Sequence, residues 1–198
     1  MISTLLWGSD SRDVVLASGS PRRREILEEL GLEFTVLPSR DFDEVVGGME
    51  AGELAMVNAE GKAADVARFC AGEEIVVGVD TVVWCGGEIL GKPKDSDDAR
   101  RILTKLGGSR HEVVSAVVLM DLKSGKRASG VERTVVEMSK LNDFELEMYL
   151  KSGEGEDKAG GYAIQGLGSL WIDKIEGDYF NVVGLPVRLF YRLMRELG

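Results

Sequence analysis

The chain has 198 residues, 44% of them hydrophobic, with 25 glycines against 4 prolines and a net charge of −10. A chain of this size buries roughly 70% of its unfolded surface without disulfide or metal staples, and its acidic balance argues against general nucleic-acid binding, because phosphate repulsion would have to be overcome locally. Apolar runs fall short of the roughly 18 residues of a membrane span, and the opening MISTLLWGSDSR lacks the basic start of a secretion signal, so a cytoplasmic protein is expected.

The elements follow in chain order. DVVL (13–16) is a short buried-type strand, and SGS after it is a loop. PRRREILEELG begins a helix with Ser20 at the N-cap, Pro21 in the first helical position and Gly31 as the stop. Arg22, Arg23 and Arg24 then load the helix start with cations, where the helix dipole ordinarily favours acids. An external anion such as phosphate resolves the conflict, with Ser18 and Ser20 adding hydroxyls; pairing with Glu25, Glu28 and Glu29 accounts for some of the arginines.

EFTVLPS reads as a second strand and DFDE (41–44) as an acidic turn. GELAMVNAEGKAADVARF is a helix in which Ala55, Ala59, Ala63 and Ala67 form a close-packing stripe, with Lys62 beside it. IVVGVDTVV is a strand buried on both faces. The carboxylate of Asp80 inside it is expensive to bury unless paired, hydrogen-bonded or bound to metal, which makes Asp80 the first candidate for chemistry.

Cys85-Gly86-Gly87-Glu88 turns a hairpin into EIL. Gly86 to Lys92 spells G-x-x-x-x-G-K, but residue 93 is proline and GEIL is strand, so a P-loop is rejected while Lys92 stays a phosphate candidate. DSDDARRILTKLGG is a helix with Ser96 as N-cap and Gly107 as stop. HEVVSAVVLMDL and ASGVERTVVEMSKL are long strands joined by a hairpin, and NDFELEMYLKSG is a helix opened by a capping box of Asn142 and Glu145. A glycine-rich stretch from Gly153 to Pro186 contains Gln165, whose amide suits base reading, and VRLFYRLMREL closes the chain as a helix. Helices alternating with strands, then hairpins, predict an α/β fold with a mixed sheet.

His111 is the one histidine, which excludes a multi-histidine metal site, and a structural role is expected for it. Cys70 and Cys85 have no metal-ligand spacing and are expected reduced and buried. What remains is carboxylate chemistry around a hard cation, with basic residues holding phosphates.

Four stretches carry a resemblance: LASGSPRRREIL, GVDTVV, ILGKPKDSDDARRIL and GEGEDKAGGYAIQGLGSLWIDKIEGDYFNVVGLP. In this order they resemble the Maf family, nucleoside triphosphate pyrophosphatases once linked to septum formation. The resemblance runs from about Val15 onward, leaving residues 1–12 as a short extension of a single domain over 1–198. It implies a twisted mixed sheet with flanking helices, two lobes around a central cleft as in inosine triphosphate pyrophosphatases, a homodimer, and magnesium or manganese. YAIQG is similar to the branch acting on dTTP and UTP, with modified uridine triphosphates as further substrates; 7-methyl-GTP, CTP, or a regulatory nucleotide-binding role in division are the alternatives.

By position, the resemblance makes Asp80 the proton acceptor and Glu44 an acidic residue near the metal. It places Arg22, Thr81 and Gln165 at the base, and Ser18, Lys62 and Lys92 at the phosphates, with Arg23 beside Arg22. The chain departs from the family pattern at Val79, where alanine is common, and at Gly107–His111, where Arg110 alters the expected cleft rim.

Overall fold

In the computed structural model of the chain, residues 2–7 and 12–198 are described. The elements are α1 (Ile2–Trp7), β1 (Val14–Leu16), α2 (Pro21–Glu29), β2 (Thr35–Val36), α3 (Ala51–Ala67), β3 (Ile75–Cys85), β4 (Glu88–Leu90) and α4 (Ser96–Leu106). They continue with β5 (Arg110–Asp121), β6 (Arg127–Met138), α5 (Asp143–Ser152), 3-10 turns at Ala159–Gly161 and Leu167–Trp171, β7 (Ile172–Glu176), α6 (Tyr179–Val183) and α7 (Val187–Leu197). The strands form one mixed seven-stranded sheet in the order β2-β1-β3-β5-β6-β7, with β4 paired to β3.

The chain divides into two compact units: Met1–Asp80, Ser115–Glu132 and Gly184–Gly198 in the first, Thr81–Val114 and Arg133–Val183 in the second. In the first unit β1 pairs in parallel with β2 and with the start of β3, Val15 facing Thr35 on one side and Val76 on the other. Parallel neighbours need crossovers, and α2 and α3 supply them. α3 lies unusually close to β3: a Cβ on Gly78 would stand 2.1 Å from the Ala59 carbonyl oxygen and 2.8 Å from the Ala63 Cβ. Ala55, Ala59 and Ala63 are all fully buried, so the alanine stripe is the face that makes this approach.

In the second unit β3 turns into β4 through Gly86 and Gly87, both with positive φ, as a two-residue hairpin requires. Its core gathers Val83, Leu90, Ile102, Leu106, Val113, Val136 and Tyr162. β7 pairs antiparallel with β6.

Four sequence expectations shift. Asp95, not Ser96, caps α4: its carboxylate accepts the Asp98 N–H at 2.8 Å, a stronger acceptor one residue earlier. Ser20 holds the N-cap place of α2, but its hydroxyl makes no capping bond. The EFTVLPS strand shortens to Thr35 and Val36, both exposed at the sheet edge. Cys85 is buried but Cys70 only half so; both are free thiols.

His111 is buried beside Tyr162, its Nε2 2.8 Å from the tyrosine hydroxyl and the two rings edge-to-face. Burial pushes its pKa down to about 4, so the ring is neutral at pH 7. Since the unfolded chain binds the proton from about pH 6.5 downward and the folded chain only near 4, stability falls as pH falls through this window, by roughly 3 kcal/mol from this group alone. Urea unfolding of wild type and His111→Asn at pH 7 and pH 4.5 checks this: the wild type is expected to lose markedly more stability than the variant over that interval.

Candidate active site

Asp80 is 6% exposed at the end of the β3 segment that belongs to the first unit. Because Gly78 admits α3 so closely, two side chains one helical turn apart on α3 reach its carboxylate. Lys62 donates from Nζ to Oδ1 at 2.6 Å, and Asn58 donates from Nδ2 to Oδ2 at 3.4 Å. The same Lys62 Nζ lies 2.7 Å from Glu44 Oε1. One ammonium therefore bridges a buried carboxylate and a half-exposed one.

The segment bearing Glu44 is irregular, and α3 holds it at several points. Asp65 Oδ2 accepts Ser39 Oγ at 2.9 Å, Arg40 N–H at 2.9 Å and Asp41 N–H at 3.2 Å. The Arg40 N–H does most to hold the Asp65 carboxyl below its usual range, with the Asp41 N–H, Ser39 and Arg68 adding to it against desolvation. Phe42 covers Gly61, where a Cβ would stand 2.2 Å from its ring. Asn58 clasps the backbone of Val45 from both sides, its Oδ1 accepting the N–H at 2.8 Å and its Nδ2 donating to the carbonyl at 3.1 Å.

The three arginines of α2 divide their work. Arg24 pairs outward with Glu28 at 2.7 Å. Arg23 is buried and donates to the Gly184 carbonyl at 2.9 Å, to Ser18 Oγ at 2.9 Å and to the Val79 carbonyl at 3.0 Å. Burial lowers its pKa, opposed first by Asp80, with Arg22 and Glu44 also felt. Arg23 thus ties the β1–α2 loop to the residue before Asp80, and Ser18 is engaged in that tie. Arg22 is half-buried at the helix start. Three cations (Arg22, Arg23, Lys62) stand against two carboxylates (Glu44, Asp80).

Thr81, Lys92 and Gln165 belong to the second unit. Thr81 is half-buried on β3; Lys92, after β4, and Gln165 are exposed. The stretch around Gln165 is held by Glu154, which accepts the N–H groups of Leu167 at 2.8 Å and Gly168 at 2.9 Å and the Tyr149 hydroxyl at 3.2 Å. That hydroxyl in turn accepts the Ala163 N–H at 3.1 Å. Gly166, at φ 114, has room for no side chain: a Cβ would stand 2.4 Å from Glu154 Oε2. Arg110 is tied to Glu137 at 2.8 Å and Glu176 at 3.2 Å.

Sequence reasoning missed Asn58, Asp65, Glu154 and Tyr149. A signal for the first two existed: Asn58, Lys62 and Asp65 are spaced by four and three, a polar line down an otherwise alanine-rich helix.

Among the described residues no three His, Cys, Asp or Glu side chains are grouped to hold a metal ion. Glu44 and Asp80 nevertheless already share one positive centre, the Lys62 ammonium. Two carboxylates are the usual protein share for a hard cation that takes its other oxygens from substrate phosphates, so the donor set fits magnesium or manganese.

A family model described as Maf-like protein matches residues 13–197. The chain is 47% identical over 184 residues to the dTTP/UTP pyrophosphatase of Thermoanaerobacter sp. (strain X514), covering 92% of this chain and 96% of that one. It is 41% identical over 189 residues to the dTTP/UTP pyrophosphatase of Methanosarcina barkeri, covering 94% and 95%. Among solved structures, the Staphylococcus aureus Ham1 protein superposes with a TM-score of 0.53 at 15% identity, covering 94% of this chain and all of that one; this likeness concerns the fold.

The Lys62 bridge makes a direct test of the site's electrostatics. Lys62→Met leaves the buried Asp80 carboxylate without its cation and is expected to cost about 3 kcal/mol of stability. Adding Asp80→Asn in the same chain removes the uncompensated charge and should recover more than half of that loss in urea unfolding.

Proposed function

The chain belongs to the Maf-like family, and on that premise we propose that it hydrolyses dTTP and UTP to the nucleoside monophosphate and pyrophosphate. Its relatives named dTTP/UTP pyrophosphatase, at 41–47% identity over most of the chain, support the substrate. The observation that carries the chemistry is the Lys62 bridge between Asp80 and Glu44, beside a helix start that bears Arg22 and Arg23.

In this reading the triphosphate meets the start of α2, where Arg22 and the opening N–H groups bind phosphate oxygens. The Lys62 ammonium adds charge next to Asp80, and Lys92 contributes a second one. Arg23 works from behind, keeping Ser18 and Val79 in place while its charge remains part of the site. Glu44 and Asp80 would hold a magnesium or manganese ion, which would supply further charge neutralisation.

Asp80 accepts the proton of the water that attacks the α-phosphorus. The bond from that phosphorus to the bridging oxygen breaks, and pyrophosphate leaves with the electron pair. Because phosphoryl transfer asks mainly for positioning and electrostatic stabilisation, clustered cations around one base meet its requirements. Thr81 and Gln165 contact the base. A homodimer, as the family resemblance implies, and a cytoplasmic location belong to the same proposal, and sedimentation at micromolar concentration checks the dimer.

Pyrophosphate release from a panel of triphosphates with magnesium or manganese tests the whole reading. dTTP and UTP are expected to be the best substrates, ahead of 7-methyl-GTP and CTP. Asp80→Asn is expected to lose about 10²-fold or more in kcat while still binding nucleotide; a near wild-type rate removes Asp80 from the chemistry. Gln165→Ala should flatten the ranking of bases more than it slows dTTP, and an unchanged ranking counts against base reading there.

A further inference from the structure

Asn58 takes no part in the reaction as described, yet it is 3% exposed inside the alanine-rich face of α3. A buried amide is unfavourable unless its donors and acceptor are matched. Here they are matched, and by the two segments that matter. Oδ1 accepts the Val45 N–H, while Nδ2 uses its two hydrogens on the Val45 carbonyl and on Asp80 Oδ2. The amide has one workable orientation: turned over, it would set its carbonyl against two acceptors and its NH₂ against an N–H.

Val45 directly follows Glu44. Asn58 and Lys62, one turn apart, therefore form two parallel rungs from α3. Lys62 joins Glu44 to Asp80 Oδ1, and Asn58 joins Val45 to Asp80 Oδ2. The lysine rung carries charge and ends in a flexible stem. The asparagine rung is neutral, short and held to the Val45 backbone by two hydrogen bonds, so it is the one that sets geometry.

We propose that Asn58 is a positioning residue of this site, holding the Glu44–Val45 segment in register with the Asp80 carboxylate. The inference rests on the roles given above to Glu44 and Asp80. Its consequence is that loss of Asn58 leaves every charge of the site in place and still slows turnover, because misplacement by about 1 Å is enough to cost on the order of 10²-fold.

Two variants and one wild-type measurement test it. Asn58→Leu keeps the branched heavy-atom skeleton and removes all three hydrogen bonds; Asn58→Ala removes them without adding bulk or charge. With folding at the assay temperature verified by circular dichroism, both are expected to lower kcat for dTTP about 10- to 100-fold with KM changed less than about threefold. A kcat within twofold of wild type in both folded variants overturns the proposal, since a merely structural asparagine would lower the melting temperature and leave turnover per folded molecule intact. Hydrogen exchange in the wild type needs no variant. The Val45 amide is expected to be protected although it lies in an irregular segment, and exchange at the rate of an open loop overturns the proposal even if neither variant folds. If the wild type releases no pyrophosphate from any nucleotide, it is the functional reading that falls, while exchange at Val45 still decides whether Asn58 holds the segment.

Discussion

A carboxylate inside an apolar strand must be answered by donors, and Asp80 is answered from a single helix. The answer is possible because α3 and β3 approach closely enough that a methyl group on Gly78 would meet the Ala59 carbonyl. Widening that contact would carry Lys62 and Asn58 away from both Asp80 oxygens together, since they lie one turn apart on the same face. The alanine stripe and the glycine are thus as much a part of the site as the charged residues. Small side chains set the distance, and the distance sets the electrostatics.

The same economy governs the arginine run. Three consecutive cations at a helix start are unfavourable against the helix dipole, and the structure turns them in different directions. Arg24 finds Glu28 along the helix, and Arg23 turns inward onto Ser18 and two carbonyls. Arg22 remains at the half-buried mouth of the helix. One hydrogen bond of the inward arginine goes to Val79, the residue before Asp80, so α2 and β3 are joined through one guanidinium.

Much of the fold was legible because it is written in local patterns. The alanine period of α3, the apolar run of β3 on either side of Asp80 and Thr81, the Gly86-Gly87 turn and the Asn142–Glu145 capping box all appear in the structure where the pattern puts them. What escaped was competition between neighbours and structure with weak local signal. Asp95 outcompetes Ser96 as the cap of α4. β7 hides in WIDKIE because much of it is exposed and charged, so it lacks the apolar run of a buried strand. In the site, Asp80 announces itself by its apolar surroundings, but its partners do not. Glu44, Asn58 and Lys62 come from an irregular segment and a helix, and the clasp of Asn58 on Val45 is a tertiary contact that residue type alone does not specify. Glu154, which organises the stretch around Gln165, reads in the sequence as one more acid in an acidic chain.

On the proposed function, the charge balance of five side chains gives a nucleotide reason to arrive with a cation. Lys62, Arg22 and Arg23 exceed Glu44 and Asp80 by one positive charge, too little to neutralise a triphosphate. Moving Lys62 toward phosphate would leave two carboxylates facing each other across the space it held, an unfavourable state in a partly buried site. A divalent cation shared between those carboxylates and the phosphate oxygens offsets both deficits together. On the proposed function the lysine bridge would be the resting arrangement of the site, and Asn58 would keep its two carboxylate-bearing segments together when a divalent cation takes the place of the ammonium.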